Sequence, residues 1–575
     1  MRGGDVVSPA PSSIAGMPLT ATHLLILAAF AASGFLAGLG GYPLLDNNEG
    51  LYARIALEMR ASGDWVIPHL LGLPYLEKPP LLYWLTAASF TLIGETEFAA
   101  RLAPALSGIS VVGCAYWLGA RSGRALEGWI AGLIISTSIV TLAIGRTLYF
   151  DMLYTAILSL ALSFAYVGLD RRRAGMIRAA AALLGLAVLA KGLVAVGLCA
   201  IVLAAFLMMA RAPASDWFRL LDPLAIAIFL AVIAPWHVMA AVRDDQFAWL
   251  YFVNEHLGRL LGTRIPKDYY SGAPWYYLPR LAAYAAPWTL LLPLALYRRA
   301  AAQPTTDRLG KFLWSWLLGT LAVFSFAGNK ANYYMIVAIV PLALIIARPV
   351  SRSILDRRIL WTAVMASLLY VAFVGGIFAA DMHCRSDAGQ ARLVCRASDP
   401  ASLLPYVVAL ALGAFALGIA TDRRWRLFAP LLAIAFLAVP LRATAVRVQA
   451  VLEEQISERI FVERVEAVDD GRPIFVLGKL SDVSAFAFYF KRPFSMLENI
   501  DPEFYFARMR PEAEGRILKM GEFRRISDAR PVYVVAENWR VIPLPEIPET
   551  PDLCVVLRTR KTSLLSNVPA DCPPG

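Results

Sequence analysis

Charge is scarce in this sequence. Only 17% of its 575 residues are Asp, Glu, Lys or Arg, whereas a soluble globular chain carries about 25%. In their place stand 58% hydrophobic residues, with a mean hydropathy of +0.58. A chain this long and this apolar cannot hide its side chains in one water-soluble core, so a bilayer is the solvent the sequence calls for. The net charge of +11 does not point to nucleic acid. The basic residues sit in short clusters between apolar stretches, which is the pattern of cytoplasmic loops. Repeats and low-complexity tracts are missing as well. Residues 1–20 are polar and rich in Gly and Pro, and are expected to be a disordered cytoplasmic N-terminus. No cleavable signal peptide is expected, because the first apolar run begins late and is long enough to span.

The apolar runs recur at lengths of about 17–22 residues, enough to cross some 30 Å of hydrocarbon. They predict thirteen spans, near 22–40, 100–120, 126–145, 149–169, 177–190, 192–210, 223–242, 281–297, 312–327, 333–347, 360–380, 403–420 and 427–445. With a cytoplasmic N-terminus, all six internal cytoplasmic loops are basic, as positive-inside orientation requires. These loops hold Arg121 and Arg124, Arg171–Arg173 and Arg178, Arg211 and Arg219, Arg298–Lys311, Arg348–Arg358, and Arg423–Arg426. Counting Leu81–Gly94 as a further span would invert everything after it, so that piece is read as an interfacial or re-entrant helix. Loop 41–98 and the segment from 446 to 575 then face the outer side. The latter has a helical stretch, 451–468, and strand-like runs at 473–477, 531–535 and 554–557, which predict a small α/β domain. Cys114 and Cys199 lie in apolar runs and read as packing residues. Cys384 with Cys395, and Cys554 with Cys572, lie where an oxidising compartment would let them bond.

The same topology places Asp46 to Lys78, Asp151, Lys191, His256 and Lys330 on the outer side. Loop 41–98 carries Asp46-Asn47-Asn48-Glu49-Gly50-Leu51-Tyr52-Ala53, then Ser62-Gly63-Asp64-Trp65, then Glu77-Lys78-Pro79-Pro80-Leu81-Leu82-Tyr83-Trp84. Asp46 leaves a span directly, which gives it a rigid mount. Pro79 and Pro80 fix the backbone next to a Glu-Lys pair at the membrane surface. A lysine between apolar stretches, such as Lys191, more often faces a polar cavity than lipid, although it also fits the closing of a tight turn. Asp151 at a span boundary also fits a helix cap, and His256 by itself fits a surface histidine. Glu58, Asp64 and Glu255 are read as structural.

These motifs, in this order, resemble the bacterial aminoarabinose transferases and their relatives among the protein mannosyltransferase-like (GT-C) glycosyltransferases. Matching segments continue through Phe98–Leu102, Arg146–Asp151, Lys191-Gly192, Asn254–Leu260, Pro274–Pro279 and Ser325–Tyr334, so the resemblance covers roughly Asp46 to Pro341. It implies an α-helical polytopic membrane protein of GT-C type, with about thirteen transmembrane helices and a small C-terminal periplasmic α/β domain. The implied activity is transfer of a sugar from a polyprenyl (undecaprenyl) phosphate to an acceptor on the periplasmic side of the inner membrane, with lipid A the first choice.

Such a reaction asks little of the protein, because a phosphate on the anomeric carbon leaves as a stable anion and no general acid is required. Cations must hold the departing phosphate and a carboxylate orients or deprotonates the acceptor. Asp46, Lys78 and Asp151 are the candidate catalytic residues. Asp46 is the base if the acceptor is a hydroxyl, and positions the acceptor if it is a phosphate. Glu49, Tyr52, Lys191, Arg259, Arg264, Lys330, Tyr333 and Tyr334 are candidate substrate ligands. By resemblance, Glu77 and His256 hold a divalent metal, zinc or magnesium/manganese, although two ligands do not make a site; no organic cofactor is expected. The expected partners are the lipid-linked donor, an envelope glycolipid acceptor and membrane lipid, with the chain a monomer. The rival readings are a flippase for the lipid-linked sugar and an inactive assembly subunit. Charge concentrated on one face, with no inverted repeat, speaks against the flippase.

Overall fold

The computed structural model describes residues 21–45, 48–267, 272–286, 288–291, 307–353, 385–386, 393–394, 457–468, 471–498, 501–541, 552–559 and 561–572. Asp46, Cys384, Cys395 and the expected spans 360–380, 403–420 and 427–445 lie outside them. Eleven helices run from α1 to α11: α1 (Ala21–Leu36), α2 (Glu49–Ser62), α3 (Leu81–Ile93), α4 (Glu97–Arg121), α5 (Ala125–Thr137), α6 (Ile139–Gly145), α7 (Phe150–Asp170), α8 (Ala174–Lys191), α9 (Val194–Ala210), α10 (Ala214–Leu220) and α11 (Pro223–Arg243). Further helices cover Tyr277–Tyr284, Arg308–Phe326 and Ile339–Ser353. Among the described residues, six helical stretches are long and apolar enough to cross a membrane. Five of them begin and end close to where the apolar runs do, and the sixth, Ala214–Arg243, takes in α10 ahead of the run 223–242. Thr96 accepts from Ala99 N at 3.2 Å to cap α4, and Asp222 accepts from Leu224 N at 3.0 Å with Pro223 at the first turn of α11. Helix α3 has 13 residues, about 20 Å, and packs on α2 and α4; it is too short to cross.

One predicted span is broken. The run 126–145 is two helices, α5 and α6, which meet at an extended Ser138 (ψ 126°). Thr137 Oγ1 donates to Leu133 O and Ser138 Oγ to Ile134 O, back-bonds of the kind that bend helices. The break is pinned from outside, by Trp288 Nε1 on Thr137 Oγ1 at 2.9 Å and by Thr141 Oγ1 on Tyr284 O.

The helices sort their charges by end. At one end, Arg124 and Arg348 meet Asp307, Arg308 meets Asp216 at 2.7 Å and Arg178 meets Asp222 at 2.9 Å. These are the basic loops that the sequence groups on one side. The other ends of α7 and α8 carry Asp151 and Lys191, an ion pair.

Loop 41–98 folds over that second end as α2, a two-residue hairpin of β1 (His69–Leu70) and β2 (Leu73–Pro74), and α3. A short hairpin of β3 (Arg385–Ser386) and β4 (Leu393–Val394) follows later in the chain. The C-terminal region is a mixed sheet of six strands: β5 (Ile474–Leu477), β6 (Ser495–Leu497), β7 (Ile517–Leu518), β8 (Tyr533–Glu537), β9 (Cys554–Arg558) and β10 (Thr562–Ser566), in the order β7-β6-β5-β8-β10-β9. Strands β5, β6, β7 and β8 are parallel, while β10 is antiparallel to both neighbours. Cys554 and Cys572 form a disulfide that ties β9 to the final turn. The helix Ser484–Tyr489 lies on α2 so closely that a Cβ on Gly50 would overlap Ser484 O. Arg54 donates to Ala487 O and Phe490 O, and Tyr489 OH bridges Leu44 N and Glu97.

Candidate active site

The D-x-x-E stretch is organised by a buried ion pair that the sequence does not reveal. Arg101, fully buried on α4, spends all five N–H donors. Nε and Nη2 go to the two oxygens of Glu49 at 2.7 Å, and the rest to Leu39 O, Tyr42 O and Pro43 O. Glu49 also accepts from Leu45 N and Leu148 N, so both carboxylate oxygens are doubly occupied. The expectation that Glu49 binds substrate is therefore corrected: no exposed surface and no open lone pair remain to it. Its work is to tie the loop before Asp46 to the segment before Asp151. Arg146 does a related job, donating to Gly34 O, Phe35 O, Ala37 O and Gly38 O, the open carbonyls at the end of α1.

Beside this knot, three cations and three carboxylates meet. Glu255 is the hub: Arg264 Nε reaches its Oε1 at 2.6 Å and Arg259 Nη2 its Oε2 at 2.8 Å. Arg264 also donates to Glu77 Oε1 at 2.8 Å. Lys78 is held loosely, 3.4 Å from Glu77 Oε2 and 3.9 Å from Glu255 Oε2. Glu503, from the C-terminal region, accepts from Tyr75 OH at 2.5 Å. Glu77, Glu255, Glu503 and Asn254 line a small cleft together with Phe506 and Arg510. Arg510 is fixed there by a two-pronged pair with Asp244 at 2.6 and 3.0 Å. Burial, with Glu503 and Glu255 close by, pushes the Glu77 carboxyl up to about 8, against the pull of Arg264 and Lys78. Burial acts on Glu255 too, but Arg259, Lys78 and Arg264 outweigh it and hold that carboxyl below its ordinary range.

Glu255, read from sequence as structural, anchors the cationic cluster by holding Arg259 and Arg264. The i,i+4 spacing to Arg259 was the visible signal. Glu58 and Asp64 do behave structurally, accepting from Leu71 N and Gly72 N, and from Val66 N and Ile67 N. Residues Trp249–Gly258, which carry Glu255 and His256, form a π-helix, a rare conformation often found at functional sites.

The second part of the site is the Lys191–Asp151 pair. Lys191 also lies 4.5 Å from the Tyr334 ring centroid and 5.9 Å from that of Tyr333, so its charge faces aromatic surfaces as well. Asp151 stands in the first turn of α7 and serves Lys191 rather than capping the helix. Tyr52 lies buried against Phe150, with ring centroids 4.9 Å apart, and so backs Asp151. Gly192 allows the turn after Lys191: its φ is +95° and a Cβ there would overlap His256 Nε2. His256 in turn braces the turn, accepting from Leu193 N at 3.0 Å.

This bracing bears on the metal. His256 Nδ1 is 2.5 Å from Tyr251 O, so it carries the proton, and Nε2 spends its lone pair on Leu193 N–H. Burial holds the imidazole below its usual range, which favours this neutral form. Glu77 is engaged with Arg264 and Lys78. In this arrangement Glu77 and His256 do not fit a divalent metal, and among the described residues no group of three His, Cys, Asp or Glu side chains does so. Lys330 donates to Ser325 O at 2.7 Å and Ala327 O at 3.0 Å, at the end of the helix Arg308–Phe326. Sequence reading missed Glu503, since the C-terminal region carries no recognised motif, and Arg280, which follows the Pro274–Pro279 motif directly.

The fold defines a class first. Over 97% of this chain and all of the other, it superposes at a TM-score of 0.77 and 23% identity on the crystal structure of ArnT from Cupriavidus metallidurans bound to undecaprenyl phosphate. The apo form of the same protein gives 0.77 and 24%. The chain thus has the helical GT-C fold, with a C-terminal sheet region. The particular likeness comes from sequence. Residues 77–239 match the family model described as dolichyl-phosphate-mannose-protein mannosyltransferase. An undecaprenyl phosphate-α-4-amino-4-deoxy-L-arabinose arabinosyl transferase from Pectobacterium carotovorum is 33% identical over 341 residues, 58% of this chain and 59% of that protein. One from Pseudomonas fluorescens is 30% identical over 316 residues, 54% and 56% of the two chains. The chain therefore spans less than two thirds of the length of these curated relatives.

Proposed function

We propose that the protein is a membrane glycosyltransferase that moves 4-amino-4-deoxy-L-arabinose from undecaprenyl phosphate to a phosphate of lipid A. The observation that carries this reading is Lys78. Its ammonium stands beside Glu77 and Glu255, carboxylates shared with two arginines, yet among the described residues no ion pair holds it closer than 3.4 Å. A cation that is positioned but not consumed suits a phosphate that gains charge as its bond to the sugar breaks.

In the proposed reaction the bond from the anomeric carbon to the phosphate oxygen breaks, and its electron pair leaves with undecaprenyl phosphate. Lys78, Arg259 and Arg264 hold that anion, with Tyr333 and Tyr334 beside it. An oxygen of the acceptor forms the new bond. A phosphate acceptor needs no deprotonation, so Asp46 orients it; with a hydroxyl acceptor, Asp46 takes the proton. Asp151 holds Lys191 beside the aromatic wall. The finer parts of the reading are thirteen spans, a site and C-terminal domain facing the periplasm, an inner-membrane location and a monomer. What supports the orientation is the basic end of the bundle, which suits the cytoplasm.

The test is mass spectrometry of lipid A and total envelope glycolipids from cells with and without this protein. Loss of aminoarabinose from lipid A is the expected result. An unchanged lipid A with another glycolipid altered would keep the chemistry and move the acceptor. No change in any glycolipid while the protein is expressed would overturn the reading.

A further inference from the structure

The cations named so far differ in whether carboxylates answer them. Lys78, Arg259 and Arg264 share Glu77 and Glu255, and Lys191 has Asp151. Arg280 and Lys330 have no carboxylate partner among the described residues. Lys330 is buried, its ammonium donating to the carbonyls of Ser325 and Ala327, and burial holds it below its usual range. Arg280 is half-buried on the helix Tyr277–Tyr284 and is fixed on three sides. Its guanidinium carbon lies 3.4 Å from the Tyr276 ring centroid, Nε donates to Asn332 Oδ1 at 2.9 Å, and Nη1 donates to Tyr276 O at 2.8 Å.

The two cations belong to one patch. Gly272 joins Lys330 to the ring on which Arg280 stacks, since a Cβ there would come to 2.8 Å from Tyr276 Cδ2 and 3.2 Å from Lys330 Cδ. Tyr276 OH and Arg280 Nε converge on the same Asn332 oxygen, two residues from Lys330. Stacking and two hydrogen bonds lock the guanidinium fork while Nη2 keeps its donors. A guanidinium so held is preorganised for the oxygens of a phosphate. Next to it, Trp275 (68% exposed) and Leu278 (55%) turn apolar surface outward. A phosphate site rimmed by exposed apolar side chains suits an anion that arrives attached to acyl chains.

We propose that Arg280, with Lys330 beneath it, forms a second phosphate subsite, one that takes a lipid-borne phosphate monoester and serves the acceptor rather than the sugar carrier. This assignment rests on the proposed transfer only for the identity of the lipid. The carrier phosphate is met by Lys78, Arg259 and Arg264, so two phosphates can be held at once, each by its own cations.

The experiment uses the full chain in lipid nanodiscs, with binding followed by native mass spectrometry. The probes are lipid A carrying its phosphates, the same lipid after dephosphorylation, undecaprenyl phosphate, and inorganic phosphate. Wild-type protein is expected to hold phosphorylated lipid A about tenfold or more tightly than the dephosphorylated form, the scale of one charged hydrogen bond. Arg280→Gln is expected to abolish that preference and leave undecaprenyl phosphate binding unchanged, while Arg280→Lys keeps part of it. The wild-type comparison needs no variant, so a misfolded Arg280→Gln would not rescue the idea. Equal binding of the two lipid A forms overturns the subsite. Loss of undecaprenyl phosphate binding in Arg280→Gln gives the site to the carrier and also overturns it, as does displacement of lipid A by inorganic phosphate at matched concentration. If no sugar transfer is ever detected but the phosphate preference and its loss persist, the subsite stands and the transfer reading falls.

Discussion

Two knots of charge, only a loop apart, are built from the same side chains and do opposite things. In one, Arg101 and Glu49 are both wholly buried, and every donor and acceptor of the pair is taken. In the other, Arg259, Arg264 and Lys78 gather around Glu255 and Glu77, with Lys78 held at 3.4 Å or more. The first has nothing left to offer a ligand. The second has a loose ammonium, a carboxyl pushed up to about 8 and an open cleft. Saturation marks the structural member of the pair, and surplus marks the functional one.

The largest effect that would test this contrast is at Lys78. Replacing it by Ala should lower transfer about 10²–10³-fold, the usual cost of removing one preorganised charge stabiliser, while expression and elution from size-exclusion chromatography stay as in wild type. Asp46→Ala should abolish transfer in the same way. Wild-type-like rates from both variants would sink the site assignment. Arg101→Ala should act on stability instead: a lone buried Glu49 costs about 3–5 kcal/mol, read as a lower thermal midpoint in detergent. Arg101→Lys should fail too, because one ammonium cannot replace five donors in a planar fork. An unmoved midpoint with a slower reaction would erase the distinction between the knots.

A smaller effect should follow pH. Glu77 stays protonated in the folded protein up to about 8, against 4.5 for an ordinary glutamate. Between those values the folded state binds the extra proton, so this group's contribution to stability is lost as pH rises. Deprotonation also adds a negative charge beside Lys78 and Arg264, so KM for the lipid-linked donor should climb as pH passes about 8. Glu77→Gln should flatten that climb; identical profiles for the two proteins would refute the assignment. The smallest expected effect is from a chelator, which should leave the rate unchanged because His256 has spent both ring nitrogens. Inhibition by a chelator, reversed by zinc in wild type but not in His256→Ala, would mean that the imidazole leaves Leu193 to bind metal.

Much of the helical frame was legible because bilayer thickness imposes a length on each apolar run. Helices α4, α7, α8, α9 and α11 start and stop close to the predicted limits. The break at Ser138 was not legible, since the bonds from Trp288 and Tyr284 that pin it come from residues more than a hundred positions away. The site divides in the same way. The motifs carry Glu77, Lys78, Asp151, Lys191 and Arg259, and the structure draws Glu77, Lys78 and Arg259 into one centre, with Arg264 from outside the motifs, and Asp151 with Lys191 into another. Glu49 was misread because a carboxylate in a loop motif looks the same on paper whether or not an arginine on α4 has claimed it. Glu503 and Arg280 reach their places through contacts that no local pattern announces.

Gly50 carries a consequence of another kind. Because Ser484 O occupies the space where a side chain would begin, the loop helix and the C-terminal sheet region are fitted to each other at backbone level, and the same region brings Glu503 and Arg510 to the cleft. A chimera that swaps in a relative's C-terminal region would exchange one wall of the cleft along with the fold. Such grafts would report which of the two parts chooses the substrate.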